Sequence, residues 1–521
     1  MKTPPPFFSL LKLATALLLG SLAMHTTDSD DVTFSLRDSL TFHDLLDAGR
    51  DFGHRYRLPP AAVFHPKSPS DVAAAVGHIF RMGRRSELTV AARGRGHSLH
   101  GQAQAPGGIV IQMGSLKSTL TRVHAGAGKV PYADGDAQAW ACSSLLDRLP
   151  TPHRRGTLSN AGVSGQAFRH GPQISNVRQL EVVTGRGELL NCSEKENPDL
   201  FHAALGGLGQ FGIITAPRSS SSPRRKWEDE FFVQVRWIRV LYEDFAAFTE
   251  DQEMLISAEK TFDYVEGFVM VNRTGILNNW RSSFYPQDPL RAAQFDYDGK
   301  TLFCLEMAKN FNPTAAQLAH QEVEELLSRL RHVRSTVFQT EVTYVAFLDR
   351  VHASAEKLRS KGLWEVPHPW LNLFVPASRI WDNRTSAVIP DEEIFYLVGF
   401  LHSAPPVDGG AGNLRRALAQ NERILSFCRS AGIKWMTHFG LRWETVVRRK
   451  MAYDPMAILA PGQRIFQKGC LCRNTYTPSS TYIARMHITC VHVLCAYVYT
   501  HIYAQACMCG WVDHGTNCKW S

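Results

Sequence analysis

The chain's 521 residues, 44% hydrophobic and 20% charged, suit a globular protein of two or three domains with sizeable cores and exclude a fibrous or low-complexity chain. The net charge of +9 falls in scattered clusters, such as Arg154-Arg155, Arg224-Arg225-Lys226 and Arg448-Arg449-Lys450. These read as solvated faces and exclude a continuous stripe for nucleic acid.

At the N-terminus, Lys2 precedes the apolar run FFSLLKLATALLLG, and Ser21 and Ala23 supply the small residues of a cleavage site. Residues 1–23 are therefore predicted to be a secretory signal peptide, and no membrane association is expected once it is removed. Sequons at Asn191, Asn272 and Asn383 agree with a secreted glycoprotein. Ser68-Pro69-Ser70-Asp71 then predicts a helix start. Ser68 caps, Pro69 fits the first turn, and Asp71 favours the positive end. Val72, Val76, Ile79 and Phe80 keep one apolar face, and Gly83 ends the helix. Strands are predicted over 88–92 and 108–113, on either side of the loop RGRGHSLHGQ. SSSSPRRK (219–226) reads as a linker. Beyond it, strand-like runs over 261–272 and 371–376 and a helical run over 321–330 predict a second domain, a sheet backed by helices. A late helix stops before Asp454-Pro455, and Pro461-Gly462 makes a turn. Four cysteines (142, 192, 304 and 428) serve the body, which is no disulfide scaffold; seven crowd into the residues after 469, a tail foreign to the rest.

Three glycine stretches invite a phosphate-binding reading. GGLGQFGIIT (206–215) contains G-x-G-x-x-G at Gly207, Gly209 and Gly212, but a helix-like run precedes it and β-branched residues follow. That order is the reverse of a Rossmann turn, so NAD is not expected there. GAGKV (126–130) lacks the hydroxyl of a P-loop. GTLSNAGVSGQAFRHG (156–171) reads either as backbone amides converging on an anion or as an ordinary surface loop. His97 stands apart. Gly94 and Gly96 before it and Ser98 after it offer no bulk for a packed core, and His100 shares no helical face with it for a metal. A neutral imidazole among bare glycines suits a nucleophile toward an electrophilic methyl of a flat cofactor.

These residues resemble a known family. RGRGHSLHGQ, GTLSNAGVSGQAFRHGPQISNV, LGGLGQFGIIT, TFDYVEGF, SKGLWEVPHPWLNL, WDNRTS and PGQRIF are similar to motifs of plant cytokinin dehydrogenases, which are vanillyl-alcohol-oxidase-like flavoproteins. The resemblance covers most of residues 30–468. It implies an α+β, two-domain fold of the PCMH type. An FAD-binding domain (30–217) is completed by a return segment (436–468), and between them lies a substrate domain (218–435) of antiparallel sheet plus helices. It implies FAD held covalently through His97, with Gly94, Arg95, Gly96, Ser98 and Gln102 around the flavin. Ser159 and Val163 fall on the pyrophosphate loop, Ile214 near the adenine, and Gln463 closes the site. Glu266 matches the substrate-side glutamate, and Trp381 and Asn383 match a segment near the substrate. The implied reaction oxidises an N6-isoprenoid adenine to adenine and an aldehyde. The expected electron acceptor is a quinone or oxygen, and the expected state a secreted monomer, in the apoplast or vacuole.

The sequence departs from the family in places. Counting back from Gly156, Arg148 stands where the family has its catalytic aspartate, with Asp147 one residue away as the candidate acid, and Arg155 replaces a glycine. PASRI (376–380) and AGIKWMTHFG (431–440) are shortened. Residues 469–521 match nothing in the family; their cysteine spacings fit no zinc finger, and an altered gene model or splice is the expected origin. Two other readings follow: a catalytically impaired flavoprotein or cytokinin binder, and a covalent-flavin sugar or alcohol oxidase, against which TFDYVEGF and SKGLWEVPHPW argue.

Overall fold

The computed structural model describes residues 39–116, 152–219, 233–271, 301–344, 346–348, 350, 359–360, 365–376, 381–382, 386, 389–390, 395–400, 412–431, 439, 442–466 and 468. The chain forms two units. One gathers Met1–Glu230, Pro367–Gly399 and Lys434–Ala496; the other gathers Phe231–Val366, Phe400–Ile433 and Tyr497–Ser521. The sequence reading put residues 367–399 in the substrate domain, whereas their contacts group them with the first unit. The signal peptide and the whole of the cysteine-rich tail lie outside the described residues.

In the first unit, β1 (Leu40–Thr41), β2 (Ala62–Phe64), β3 (Val90–Arg93) and β4 (Ile109–Gln112) form a sheet in the order β1-β2-β4-β3, parallel except for β1. Helix α1 (Pro69–Arg81) joins β2 to β3 and starts where its cap predicts. The Asp71 amide donates to Ser68 Oγ at 3.2 Å, and the Ser68 amide donates back to Asp71 Oδ2 at 3.0 Å. Val72, Val76 and Ile79 are buried in one core with Phe64, Val90, Ile109 and Ile111. Each contributes about 1.5–3 kcal/mol through removal from water.

Helix α2 (Pro152–Asn160) corrects the reading of GTLSN as a loop. Leu158, Ala161 and Val163 are buried in a second core with Leu180, Val182, Leu200 and Ile214, so this stretch is not an ordinary surface loop. That core also takes in β5 (Val177–Val183), β6 (Leu189–Ser193), helix α3 (Pro198–Ala204) and β7 (Ile213–Ser219). The strands form an antiparallel sheet in the order β6-β5-β7. Pro217 is tolerated in β7 because that strand is an edge.

The second unit begins with β8 (Gln234–Tyr242), followed by helix α4 (Phe245–Ser257), β9 (Tyr264–Val271), β10 (Thr301–Phe311), helix α5 (Ala316–Ser328) and β11 (Phe338–Thr343). Its sheet is antiparallel in the order β11-β8-β10-β9. α4 is capped by Asp244, whose Oδ1 accepts the Ala247 amide at 2.7 Å. It packs on the sheet through Phe248, stacked on Phe303 at 5.4 Å. Helix α6 (Gly412–Ser430) belongs to the same unit. Among the described residues this is a sheet backed by helices, as the sequence predicts.

The chain returns to the first unit in β12 (Leu371–Pro376), β13 (Trp381–Asp382), β14 (Ile389–Pro390), β15 (Phe395–Phe400) and helix α7 (Trp443–Tyr453). After α7 it runs alongside β3. The Val90 amide donates to Ile458 O and the Ala460 amide to Val90 O, both at 2.9 Å. Here the reading of Arg448-Arg449-Lys450 as a solvated face is overturned: Arg449 is 7% exposed and Lys450 fully buried. Lys450 Nζ lies 2.7 Å from Asp454, also fully buried, and donates to Gln210 O and Oε1 at 2.9 and 3.0 Å. Burial lowers the Lys450 pKa below that of an ordinary lysine, and the Asp454 carboxylate opposes that drop. The pair sits in the interior because its partners satisfy it, and it ties the return segment to the Gly206–Gln210 turn.

Candidate functional site

A cleft opens beside the C-terminal end of β3. The loop after β3 forms one wall through Gly94, Arg95, Gly96, His97, Ser98 and Gln102. Ser159 of α2 and Ile214 of β7 line it too. Eight residues carried over from the family thus meet in one place.

Local chemistry explains the glycines. Gly96 has φ +76°, and a Cβ there would lie 2.5 Å from the Arg93 guanidinium. Gly101, also at φ +76°, touches the return segment: its Cβ would sit 2.5 Å from Gly462 O, and a Cβ on Gly462 would sit 2.3 Å from Gly101 O. RGRGHSLHGQ and PGQRIF are therefore two halves of one backbone contact. Gln463 is not among the lining residues; its Nε2 donates to Leu208 O at 2.7 Å and so braces a residue that is. Val163 is buried in the core instead of on the cleft wall.

His97 faces the ring of Phe52, with centroids 5.3 Å apart and planes at 53°. The Phe52 amide donates to Ser98 O at 2.8 Å. Beside Phe52, the buried Asp51 carboxyl accepts the Tyr56 amide at 2.9 Å through Oδ1. Desolvation raises its pKa to about 6, against the smaller lowering effects of the Tyr56 amide and Arg55.

The residues present fit a flavin. Ser98 Oγ and Asn160 Oδ1 are buried on the cleft wall with no hydrogen-bond partner among the described residues, so each is free to meet a polar ligand atom. Gly209, at φ +73°, and Gly212 line the same wall. The G-x-G-x-x-G stretch therefore contributes to this site without a Rossmann turn. Sequence reasoning missed Asn160, Leu459 and Ala460; the nearest signal was their position inside the GTLSNAG and PGQRIF neighbourhoods.

Of the other candidates, Glu266 lies half-buried on β9, paired in register with Glu306 of β10, and accepts a hydrogen bond from Tyr264 Oη. Asp147, Arg148 and Asn383 lie outside the described residues, as do the side chains of Arg155 and Trp381. Asn191 is exposed on β6; Asn272 is not described. Among the described residues no helix is long and apolar enough to cross a membrane, and no group of three or more His, Cys, Asp or Glu could hold a metal. Cys192, Cys304 and Cys428 are buried free thiols, and burial pushes the first two up to about 12.

The fold and cleft together define an FAD-binding flavoprotein of α+β, two-domain type. A family model described as an FAD binding domain matches residues 60–193. The fold is similar to that of the solved structure titled wild-type Phl p 4.0202, a glucose dehydrogenase. The TM-score is 0.52 and the identity 14%, over 82% of this chain and 98% of that one. The model described as "Cytokinin dehydrogenase 1, FAD and cytokinin binding" matches residues 233–382 and 379–466. The chain is 53% identical to cytokinin dehydrogenase 4 of Oryza sativa subsp. japonica, over 90% of this chain and 98% of the relative. It is 50% identical to cytokinin dehydrogenase 1 of Arabidopsis thaliana, over 84% of each. It belongs to the cytokinin dehydrogenase family.

Proposed function

We propose that the chain oxidises N6-isoprenoid adenines with FAD, releasing adenine and an unsaturated aldehyde and so degrading the hormone. One observation carries this reading: residues that the family assigns to the flavin, from three separate stretches of this family member, line one cleft. When bound, the flavin supplies the acceptor for a hydride from the carbon next to N6. Arg95, Gln102, Ser98 and Ser159 hold its polar edges, and His97 holds it covalently. Glu266 accepts a hydrogen bond from the N6 amine, with Trp381 and Asn383 on the substrate side. Asp147 is the candidate to take the amine proton as the imine forms. A quinone or oxygen takes the electrons. The protein acts as a secreted monomer, in the apoplast or vacuole, with Asn191 as a candidate glycan site.

One experiment tests the reading. Purified protein is precipitated with acid, and its visible absorbance is measured; native protein is then mixed with isopentenyladenine without an acceptor. Absorbance that stays with the pellet and bleaching by the adenine are the expected results. Absorbance lost to the supernatant overturns the His97 linkage. The presence of Arg148 at the family's aspartate position favours a second reading, an impaired flavoprotein that binds cytokinin. Retained flavin with no bleaching selects it, and bleaching by a sugar alone selects a sugar oxidase.

A further inference from the structure

Behind His97 stands a set of aromatic rings that the roles above do not use. Phe52 is stacked on His368, with centroids 4.4 Å apart and planes at 19°, and lies edge-on to Trp370 at 5.2 Å. His368 and Trp370 are themselves 5.7 Å apart. All three are buried, His368 completely. They come from distant stretches, DFG (51–53) and PHPW (367–370), yet belong to one unit.

The main chain fixes Phe52 relative to the loop that carries His97. The Phe52 amide donates to Ser98 O, the residue next to His97. The following Gly53 packs so closely that a Cβ would lie 3.2 Å from Leu99 O and 3.4 Å from His368 O. The two residues flanking His97, Gly96 and Ser98, are small and do little to restrict the imidazole. The Phe52 ring supplies a flat wall for it.

We infer that Phe52 is a positioning residue for flavin attachment: backed by His368 and Trp370, it holds the His97 imidazole in the orientation from which attachment proceeds. This rests on the reading that His97 carries the flavin. In attachment an imidazole N–H and a flavin methyl C–H bond break, and an N–C bond forms. The two electrons released pass to the flavin and then, with the two protons, to dioxygen, which leaves as hydrogen peroxide. A nucleophile displaced by about 1 Å loses on the order of 100-fold in rate.

The test uses the full chain as Phe52→Leu and Phe52→Tyr, and both His97→Ala and His97→Ala with Phe52→Leu. Total flavin, the acid-stable fraction, and the rate at which added FAD becomes acid-stable are measured. Phe52→Leu is expected to bind FAD but to attach it at least about tenfold more slowly, whereas Phe52→Tyr keeps a flat ring and attaches it near the wild-type rate. In the His97→Ala background, Phe52→Leu is expected to leave the dissociation constant of FAD unchanged, because its effect runs through the imidazole. Wild-type attachment by Phe52→Leu overturns the inference, as does a weakened FAD affinity in the double variant, which marks Phe52 as mere scaffold. Acid-stable flavin persisting in His97→Ala is a separate failure, that of the His97 reading itself.

Discussion

Asp51→Asn is expected to stabilise the protein at neutral pH. The Asp51 carboxyl is 1% exposed, and its Oδ2 has no hydrogen-bond donor among the described residues. Burial raises the pKa from 3.8 to about 6. The folded protein therefore holds this proton more tightly than the unfolded chain. The resulting stabilisation is complete below the unfolded pKa and is lost as pH rises through about 6. At about 1.4 kcal/mol per pH unit, the loss comes to about 3 kcal/mol at pH 7. Asparagine keeps an oxygen for the Tyr56 amide and carries no charge to desolvate. Denaturant unfolding of both proteins from pH 4 to pH 8 at constant ionic strength checks this. The variant's advantage should grow between roughly pH 4 and 6 and level off by about pH 7. A difference that does not vary with pH, or a variant less stable at pH 7, refutes the argument that an ionised Asp51 is held there against its desolvation.

Three further outcomes are expected. Lys450→Met leaves Asp454 buried without its cation and should cost about 3–5 kcal/mol, read as a lower Tm, together with weaker FAD retention because Leu459 and Ala460 line the cleft. Gly101→Ala places a Cβ 2.5 Å from Gly462 O at φ +76° and should abolish flavin binding, whereas Gly107→Ala, at φ +66° with nothing within 4 Å, should cost only about 1 kcal/mol; flavin content and Tm of the pair separate close approach from backbone strain. Glu266→Gln should lower cytokinin turnover while leaving acid-stable flavin at the wild-type level, and loss of both would make Glu266 structural.

Legibility in this sequence followed the range of the interaction. The start of α1 was readable because the Ser68–Asp71 box and Pro69 act within four residues. The His97 loop was readable because glycines at positive φ mark themselves in sequence. The surface-loop reading of GTLSN fails because its Gly, Thr, Ser and Asn favour turns locally, while the burial of Leu158, Ala161 and Val163 that overrides this preference comes from β5, α3 and β7. Lys450 was misread for the same reason. Within Arg-Arg-Lys it looks solvated; besides the nearby Asp454 and Leu459 O, it needs Gln210, some 240 residues earlier, whose two oxygens accept from Nζ and let it sit inside. The packing of the rings behind His97 was not legible: DFG carries no local signal, and PHPW, though part of a family motif, meets Phe52 only once 315 residues of intervening chain return His368 to it. The loop that carries His97 is therefore a local message, while the rings packed against its imidazole come from long range. Variants at Phe52 and Lys450 therefore test more of this protein than another substitution in the glycine loop.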